Sequence, residues 1–315
     1  MGIRMIRTSY INEAVYENPF RLITDGEAYY HKELEKAADS IERNAKTHPV
    51  VLISGPSGSG KTTSAHRISR ILGERGFTSR IISMDNYFLP NDMIGECPRN
   101  PDGSMDYESP LRLDLALLQE HLIELSNGKT IEMPKFDFIT QTRSGTIPIK
   151  REPNGIIIAE GIHALNPLVT GDSCSFATCV YVSVRTRIMS QNGDILHPRL
   201  IRLMRRLSRD KLFRGRPMPE TFKMFESVSR GEELYIMPYK TRADYDIDTF
   251  MPFEAAIYKN AIYDELCGIS KEMSGSEDYA MLYDVLTEIA PLELNYIPET
   301  SLVREFVGGS HFELG

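Results

Sequence analysis

One glycine-rich stretch, residues 55–62, constrains what this chain can fold into more than any other part of it. It reads GPSGSGKT and fits the pattern of glycine, four residues, glycine, lysine and serine or threonine without a mismatch. The apolar run Val50–Ser54 before it predicts a buried strand. Residues 63–72 after it carry apolar side chains at helical spacing, with Gly73 as the predicted stop. This order directs backbone N–H groups and a helix N-terminus towards an anion, so the stretch predicts a phosphate-binding loop.

The residue types in this loop suit a nucleotide phosphate. Glycines let the backbone approach the phosphate closely, Lys61 supplies a mobile cation, and the Thr62 hydroxyl can ligate Mg²⁺. A glycine-rich turn that matches the pattern by chance is the alternative, and the strand and helix on either side argue against it. The loop alone predicts only that a nucleotide binds.

Composition narrows the class of protein further. The chain has 315 residues, 41% hydrophobic and 25% charged, as in a soluble globular protein of one large α/β domain with additions or of two domains. Its net charge of −8 argues against broad nucleic-acid binding. The sequence shows no apolar run long enough for a membrane span and no signal peptide, and its four cysteines show neither metal spacing nor a disulfide framework. We therefore expect a cytoplasmic protein with no membrane and no nucleic acid among its partners.

Predicted strands alternate with predicted helices, which favours a parallel sheet covered on both faces. The predicted strands are 50–54, 80–84, 155–160, 178–184 and 245–250, and a β-hairpin is predicted from 131–138 and 145–150. The predicted helices are 27–46, 63–72, 110–127, 219–230, 254–266 and 279–289. Residues 1–26 are assigned to a terminal arm, residues 89–109 to a long loop, and residues 303–309 to an added strand.

Two of the predicted strands end in a carboxylate. Asp85 follows the strand 80–84, and Glu160 ends the strand 155–160. The carboxyl ends of parallel strands meet at one edge of the sheet, so both acids should lie beside the phosphate-binding loop. For Asp85 alone, a turn-capping role is the simpler interpretation. Together the two acids predict that Asp85 orients an acceptor hydroxyl and takes its proton, while Glu160 and Thr62 hold Mg²⁺ directly or through water.

A basic stretch between residues 194 and 216 stands out in an otherwise acidic chain. It has apolar residues at helical spacing and ends in Arg214-Gly215-Arg216-Pro217, which resembles a hinge. Cations grouped on a mobile helix can neutralise charge on a migrating phosphoryl group, and arginine suits bidentate phosphate contacts. The stretch therefore predicts a helical lid, about residues 194–235. A solvated basic helix is the alternative.

Five stretches occur in the order seen in one family of kinases. They are the phosphate-binding loop, SMDNYF at 83–88, PKFDFITQTR at 134–143, EGI at 160–162 and the arginine-rich run at 205–216. Over roughly residues 48–265 the chain resembles the uridine kinase branch of the uridine kinase/phosphoribulokinase family. The resemblance implies ATP- and Mg²⁺-dependent phosphorylation of the 5′-hydroxyl of a nucleoside. It implies an α/β fold of the P-loop NTPase type, with three layers, a mainly parallel five-stranded sheet, a substrate-side β-hairpin and a helical lid.

The resemblance also implies roles for individual residues. The predicted catalytic residues are Asp85 as base, Lys61, Arg206 and Arg209. The predicted ATP-binding residues are Gly55, Ser57, Gly58, Ser59, Gly60, Lys61, Thr62, Thr63 and Arg214. The predicted substrate-binding residues are Asp106 at the ribose hydroxyls, Phe88, Phe136, Gln141, Arg143 and Arg216. The predicted metal ligands are Thr62, Glu160 and Asp85.

Three parts of the chain depart from the family pattern. Phe136-Asp137-Phe138 stands where uridine kinases carry Tyr-Asp-Phe. Gln141 stands where uridine kinases carry a histidine that helps to read the pyrimidine edge, and glutamine offers both a donor and an acceptor for a base edge. The family pattern Phe-Asp-His-Pro near the acceptor is Met105-Asp106-Tyr107-Glu108 here. A buried polar exchange of this kind can change the preferred substrate.

Two other functions remain open from the sequence. One is a kinase of the same superfamily that acts on a sugar phosphate or on pantothenate; the other is a nucleotide-binding regulator with weak ATPase activity. We expect three parts: an N-terminal arm and helix (1–48), a kinase core (49–270), and a C-terminal helix and tail packed on the core (271–315). The resemblance also allows a homo-oligomer.

Overall fold

Ten strands and ten helices make up the protein in a computed structural model that describes residues 4–90, 93–94 and 98–312. Cys97 and part of the predicted loop 89–109 lie outside these ranges. The strands are β1 Met5–Arg7, β2 Val50–Ser54, β3 Thr78–Ser83, β4 Thr130–Asp137, β5 Thr142–Lys150, β6 Gly155–Glu160, β7 Ala177–Ser183, β8 Arg187–Met189, β9 Ile195–Leu196 and β10 Tyr245–Asp248.

The helices lie between and after these strands along the chain. They are α1 Thr8–Glu17, α2 Pro19–Asn44, α3 Lys61–Glu74, α4 Leu115–Ser126, α5 Pro167–Thr170, α6 Pro198–Arg214, α7 Met218–Tyr235, α8 Glu254–Gly268, α9 Glu277–Glu288 and α10 Arg304–Val307. Across the described residues, no helix combines the length and the apolar character that a membrane span requires.

The central sheet has five strands, all parallel, in the order β10-β7-β2-β6-β3. Successive residues of β2 alternate between its two faces. Val51 and Ile53 pack in the core under α2, α3, α6 and α8, whereas Val50 and Leu52 pack in a second core under α4 and the β4–β5 hairpin. The predicted three-layer α/β fold, with its parallel sheet and its antiparallel hairpin, is confirmed.

The N-terminal region differs from the predicted arm. Residues 5–17 form β1 and α1, and α2 begins at Pro19, eight residues before its predicted start, with the Asn18 side chain accepting the Arg21 N–H. This capping signal was missed because so few apolar positions recur in residues 1–26. β1 also pairs in parallel with β8, and β8 pairs with β9, in a small sheet that the sequence did not predict.

Three predicted helix boundaries or elements are wrong. Pro110–Arg112 forms a separate 3₁₀ turn, and α4 begins at Leu115 because Asp114, rather than Ser109, accepts a hydrogen bond from its first turn. α3 continues through Gly73; the turn after the helix uses Gly76, whose φ is 87°. The segment predicted as an added strand at 303–309 is helix α10, whose Phe306 is buried in the core.

Candidate active site

The phosphate-binding loop connects β2 to α3 and depends on its glycines. Gly55, Gly58 and Gly60 all have positive φ, of 157°, 74° and 86°. A Cβ atom at Gly55 would lie 2.0 Å from the Val182 carbonyl oxygen, so no larger residue fits there. The buried hydroxyl of Ser59, in this loop, has no hydrogen-bond partner among the described residues. A bound phosphate oxygen is a suitable partner for such a hydroxyl.

The predicted acids Asp85 and Glu160 do lie at the same edge of the sheet, beside Lys61. Ser83 and Glu160 are register partners on β3 and β6, and Asp85 lies in the 3₁₀ turn that follows β3. Burial raises the pKa of Glu160 to about 7, against the opposing effect of Lys61. Burial also raises the pKa of Asp85, opposed by Lys61 and Arg209, even though its side chain opens onto the cleft. The Lys61 pKa is lowered by burial and raised by Glu160 and Asp85.

An aromatic cluster lies close to the turn that carries Asp85. The rings of Phe88, Phe136 and Phe138 lie with centroids 5.1 to 5.8 Å apart. The Phe136 N–H donates to Asn86 Oδ1 over 3.3 Å, which ties the hairpin to the turn that carries Asp85. The structure therefore brings the predicted base and two of the predicted substrate-binding residues together.

The other predicted substrate-binding residues have defined partners within the protein. Asp106 accepts a hydrogen bond from Tyr235 Oη over 2.9 Å, so helix α7 fixes its orientation. Gln141 lies at the hairpin tip with φ 55° and donates its side-chain amide to the Phe138 carbonyl over 2.8 Å. Arg143 donates to Asp114 over 2.9 Å and Arg216 to Asp210 over 2.9 Å, so both are held by carboxylates.

The arginines of α6 divide into two groups that the sequence did not separate. Arg205 is fully buried and pairs with the equally buried Glu254 at 2.7 Å, while Arg202 pairs with Glu232 at 2.5 Å; both residues stabilise the fold. Both also donate to backbone carbonyls of the phosphate-binding loop, Arg202 to Ser57 over 3.0 Å and Arg205 to Gly58 over 3.0 Å. Arg206 donates to the Ser57 side chain, at Oγ, over 3.3 Å. Arg214 is held by Asp210 over 2.9 Å. The expected basic face is thus docked on the core.

Arg209 is the one arginine of α6 that has no carboxylate partner among the described residues, whereas Arg199, Arg202, Arg205, Arg206 and Arg214 each have one. Burial lowers its pKa to about 10, and Arg214 adds to this effect. Its Nε is buried and has no hydrogen-bond partner among the described residues. Together with Thr62 and Arg214 it lines a cavity of about 470 Å³ beside the phosphate-binding loop.

The far wall of this cavity comes from the C-terminal segment, whose place in the site was missed by sequence reasoning. Glu305 accepts hydrogen bonds from the Thr63 hydroxyl at 2.6 Å and from the Thr63 N–H at 3.3 Å. Leu302 packs against Gly60 so closely that a Cβ atom there would lie 2.4 Å from its methyl group. No motif around residues 301–312 signals this contact.

Glu108 is a second residue that the sequence did not assign to the site. Burial raises its pKa to about 7; Arg206 opposes the shift, and Asp85 and Asp106 add to it, so all three act on this carboxylate. The Glu108 carbonyl accepts a hydrogen bond from the buried His163 Nε2 over 2.9 Å. The departure of residues 105–108 from the family pattern was the signal that could have identified it.

The oxygen atoms at this edge suit Mg²⁺. Thr62, Asp85 and Glu160 offer one hydroxyl and two carboxylates, and burial raises the pKa of both acids although Lys61 opposes the shift. Within the described part of the chain, no group of three or more metal-ligating side chains forms a complete protein cage. Mg²⁺ in phosphoryl-transfer sites needs only one or two protein carboxylates, since phosphates and water supply the other ligands.

A parallel sheet, a phosphate-binding loop after β2 and carboxylates at the same edge are the arrangement of P-loop kinases. Residues 50–192 match the sequence profile of the Phosphoribulokinase / Uridine kinase family. A uridine kinase of Staphylococcus aureus (strain JH9) is 33% identical over 200 residues, which span 63% of this chain and 86% of that enzyme. The chain therefore belongs to the Phosphoribulokinase / Uridine kinase family.

Two solved structures resemble this chain at low sequence identity. One is a possible uridine kinase from Bacillus stearothermophilus, 19% identical with a TM-score of 0.45, covering 69% of this chain and 100% of that chain. The other is a D-glycerate 3-kinase from Cryptococcus neoformans, 15% identical with a TM-score of 0.35, covering 81% of this chain and 87% of that chain.

Proposed function

We propose that this protein is a nucleoside kinase, which transfers the γ-phosphoryl group of ATP to the 5′-hydroxyl of a nucleoside. The observation that carries the proposal is the joining of Asp85 to an aromatic cluster. Asp85 lies beside Lys61 of the phosphate-binding loop, and the Asn86–Phe136 hydrogen bond connects its turn to Phe88, Phe136 and Phe138. A flat nucleobase is the acceptor feature that such rings bind well.

Asp85 acts as the base in the proposed reaction. Its carboxylate accepts no hydrogen bond from the described residues, so it is free to bind the acceptor hydroxyl. The hydroxyl oxygen attacks the γ-phosphorus, the bond from that phosphorus to the bridging oxygen breaks, and ADP leaves. The hydroxyl proton passes to Asp85, whose raised pKa makes it a better proton acceptor than an aspartate of ordinary pKa.

The donor nucleotide extends from the phosphate-binding loop into the 470 Å³ cavity. Its phosphates lie on the backbone of Gly55 to Thr63, where Lys61 compensates their charge. Arg209 and Arg214 face the cavity together with Phe213 and Phe312, so cations lie near the phosphates and rings near the base. Mg²⁺, held by Thr62, Glu160 and Asp85, would supply charge compensation on the phosphate oxygens.

The acceptor nucleoside lies on the hairpin side. Asp106 is oriented by Tyr235 and can accept hydrogen bonds from the ribose hydroxyls. In this proposal the aromatic cluster binds the base. Gln141, which donates to the Phe138 carbonyl, and Arg143, which is held by Asp114, are further candidate contacts, as is Arg216, which is held by Asp210. In this proposal Glu108 adds a carboxylate to the acceptor cleft beside Asp106.

A panel assay tests the proposal. The purified protein is incubated with ATP, Mg²⁺ and one acceptor at a time: uridine, cytidine, adenosine, guanosine, ribulose 5-phosphate or pantothenate. We expect a new nucleoside monophosphate with at least one nucleoside. Phosphorylation of ribulose 5-phosphate or pantothenate alone would identify a different acceptor class, and ATP hydrolysis without any phosphorylated acceptor would support a regulator instead.

A further inference from the structure

A second cavity, of about 530 Å³, lies on the other side of the phosphate-binding loop from the catalytic acids. Asp85 and Glu160 follow β3 and β6, on one side of β2, whereas this cavity opens at the carboxyl ends of β7 and β10, on the other side. Ligands bind at the carboxyl ends of the strands in open parallel sheets. Pro56 of the loop forms one wall, so the cavity contacts the loop without belonging to the proposed donor or acceptor site.

Cationic side chains from four parts of the chain line this cavity. Three carboxylates line the cavity. Six cationic side chains also line it: Arg4, Arg185, Arg187, Arg199, Arg202 and Lys240. Arg4 comes from the N-terminal segment, outside the residues that match the family profile. Four of these cations already pair with carboxylates: Arg185 and Lys240 with Asp246, Arg199 with Asp278, and Arg202 with Glu232. Arg4 lies over the Tyr29 ring without an ion pair to a described residue, so Arg4 and Arg187 supply the positive charge that favours an anionic ligand in this concave site.

The three carboxylates that line the cavity already have partners. Glu232 pairs with Arg202 at 2.5 Å, and Glu33 pairs with Lys36 at 2.5 Å. Asp248 accepts a hydrogen bond from the Arg185 N–H at 2.9 Å. In contrast, the guanidinium of Arg187 forms no ion pair and no hydrogen bond with any residue the structure describes.

A buried hydroxyl in the same cavity also has no partner. Ser183 is 7% exposed, lies at the carboxyl end of β7, and its Oγ makes no hydrogen bond within the described chain. An unsatisfied buried hydroxyl is costly in free energy, so such groups usually face a ligand or water. Ser183 and Arg187 thus offer a donor and a cation to the same space.

We propose that this cavity binds a phosphorylated small molecule, at a site separate from those for ATP and the acceptor. Phosphate oxygens would accept hydrogen bonds from Ser183 and Arg187, and the volume suits a ligand of nucleotide size. Binding itself does not depend on the proposed nucleoside kinase activity.

Arg202 links this cavity to the phosphate-binding loop. Its side chain is 4% exposed and donates to the Ser57 carbonyl over 3.0 Å, while its other nitrogen pairs with Glu232 of α7. A ligand in the cavity therefore contacts Arg202, which connects the phosphate-binding loop to helices α6 and α7. This arrangement provides a physical route by which an anion there changes nucleotide binding.

Calorimetric titration with inorganic pyrophosphate tests the site. The full-length Lys61→Ala protein is used because this change weakens anion binding at the phosphate-binding loop. We expect binding that the added change Arg187→Ala weakens roughly tenfold or more, and that Ser183→Ala weakens by a smaller factor. Arg187→Lys should restore part of the affinity because it restores the charge. Arg80→Ala, on the opposite edge of the sheet, is the matched control and should leave the affinity unchanged.

Two results would overturn this proposal. One is no pyrophosphate binding to the Lys61→Ala protein at millimolar concentration; the other is binding that Arg187→Ala and Ser183→Ala both leave unchanged. Melting temperatures separate loss of the ligand from loss of the fold, because removal of the unpaired Ser183 hydroxyl should not lower stability. Titration with a nucleoside diphosphate then shows whether the cavity recognises the phosphates alone or the base as well.

Discussion

Carboxylates with raised pKa values are concentrated around the phosphate-binding loop. Asp85, Glu108 and Glu160 each lose hydration on burial, and none has an ion pair with a described residue. Lys61 lowers the pKa of Glu160, and Arg206 and Lys61 lower that of Glu108, but both pKa values remain raised. Such groups destabilise the unliganded protein when they ionise, and a bound metal or a bound acceptor hydroxyl compensates that cost.

The Asp85→Asn variant tests the proposed base. Asparagine has nearly the same shape but cannot take the acceptor proton, so we expect turnover to fall by roughly 10²- to 10⁴-fold. ATP affinity should stay within a few-fold, because the phosphate-binding loop is unchanged. Steady-state kinetics with a nucleoside and direct ATP titration make the comparison, with Asp102→Asn, on an exposed loop residue, as the control. Near-normal turnover would remove Asp85 from this role.

Glu108 makes the stability of the unliganded protein depend on pH. Its pKa is raised from 4.5 to about 7, so between these values the folded protein keeps a proton that the unfolded chain releases. The free energy of unfolding therefore falls as the pH rises through this window. Glu108→Gln should be more stable than the wild type at pH 8, by on the order of 1–3 kcal/mol, and this gain should vanish towards pH 4.5.

Thermal unfolding from pH 4.5 to 8 measures this difference. Glu120→Gln, an exposed residue of α4, is the control and should follow the wild type at every pH. A Glu108→Gln variant whose stability parallels the wild type over the whole range would contradict the assigned cause.

At the scale of secondary structure, α6 both stabilises the fold and serves the site. Arg205 and Glu254 form a fully buried pair, which would cost about 3–5 kcal/mol if one partner were removed. Arg209, four residues further on, is half-buried, has no such partner and lines the 470 Å³ cavity. One helical face thus anchors the helix, and the neighbouring side chain is left for phosphate.

This division predicts different effects for two alanine variants of α6. Arg209→Ala should lower kcat more than it weakens nucleoside binding, because its charge acts on the phosphoryl group in the transition state. Arg205→Ala should mainly lower the melting temperature, because it leaves the Glu254 charge buried and unpaired. Steady-state kinetics and thermal unfolding of both variants test these different roles of Arg205 and Arg209. Equal losses of kcat in two variants of equal stability would contradict them.

At the scale of the whole molecule, both chain ends complete the protein around the loop. Side chains of α1, α2 and α10 pack in the same core as the face of β2 that carries Val51 and Ile53. α10 also places Glu305 on Thr63 at the N-terminus of α3, where the proposed nucleotide phosphates bind. The C-terminal end therefore contributes directly to the candidate site, whereas the N-terminal helices contribute to the core that supports β2.

Glu305→Gln should strengthen ATP binding. The amide oxygen can still accept the Thr63 hydrogen bonds, but the negative charge beside the proposed phosphate positions is removed. We expect a several-fold lower Kd for ATP at low ionic strength, with a smaller difference at high salt. Fluorescence or calorimetric titration measures it, with the exposed Glu299→Gln in the same segment as the control. Weaker ATP binding by Glu305→Gln would mean that the carboxylate supports the loop instead.

The sequence by itself determined the sheet strands, the loop and the hairpin, because each has a local signal. Val50–Ser54 is continuously apolar, the glycines recur at the spacing a phosphate requires, and the acids follow strands whose ends must meet at one edge. The family resemblance added an order of motifs, and this order agrees with the family to which the chain belongs.

Only the tertiary structure decided how distant residues meet. Thr63 and Glu305 are 242 residues apart, and no periodicity in either segment predicts their contact. The separation of Arg205 from Arg209 likewise depends on which side of α6 faces Glu254, which similar residues in one basic run cannot show. Whether a charge is buried, paired or left for a ligand is a property of the packed surroundings, and these surroundings form only when the chain folds.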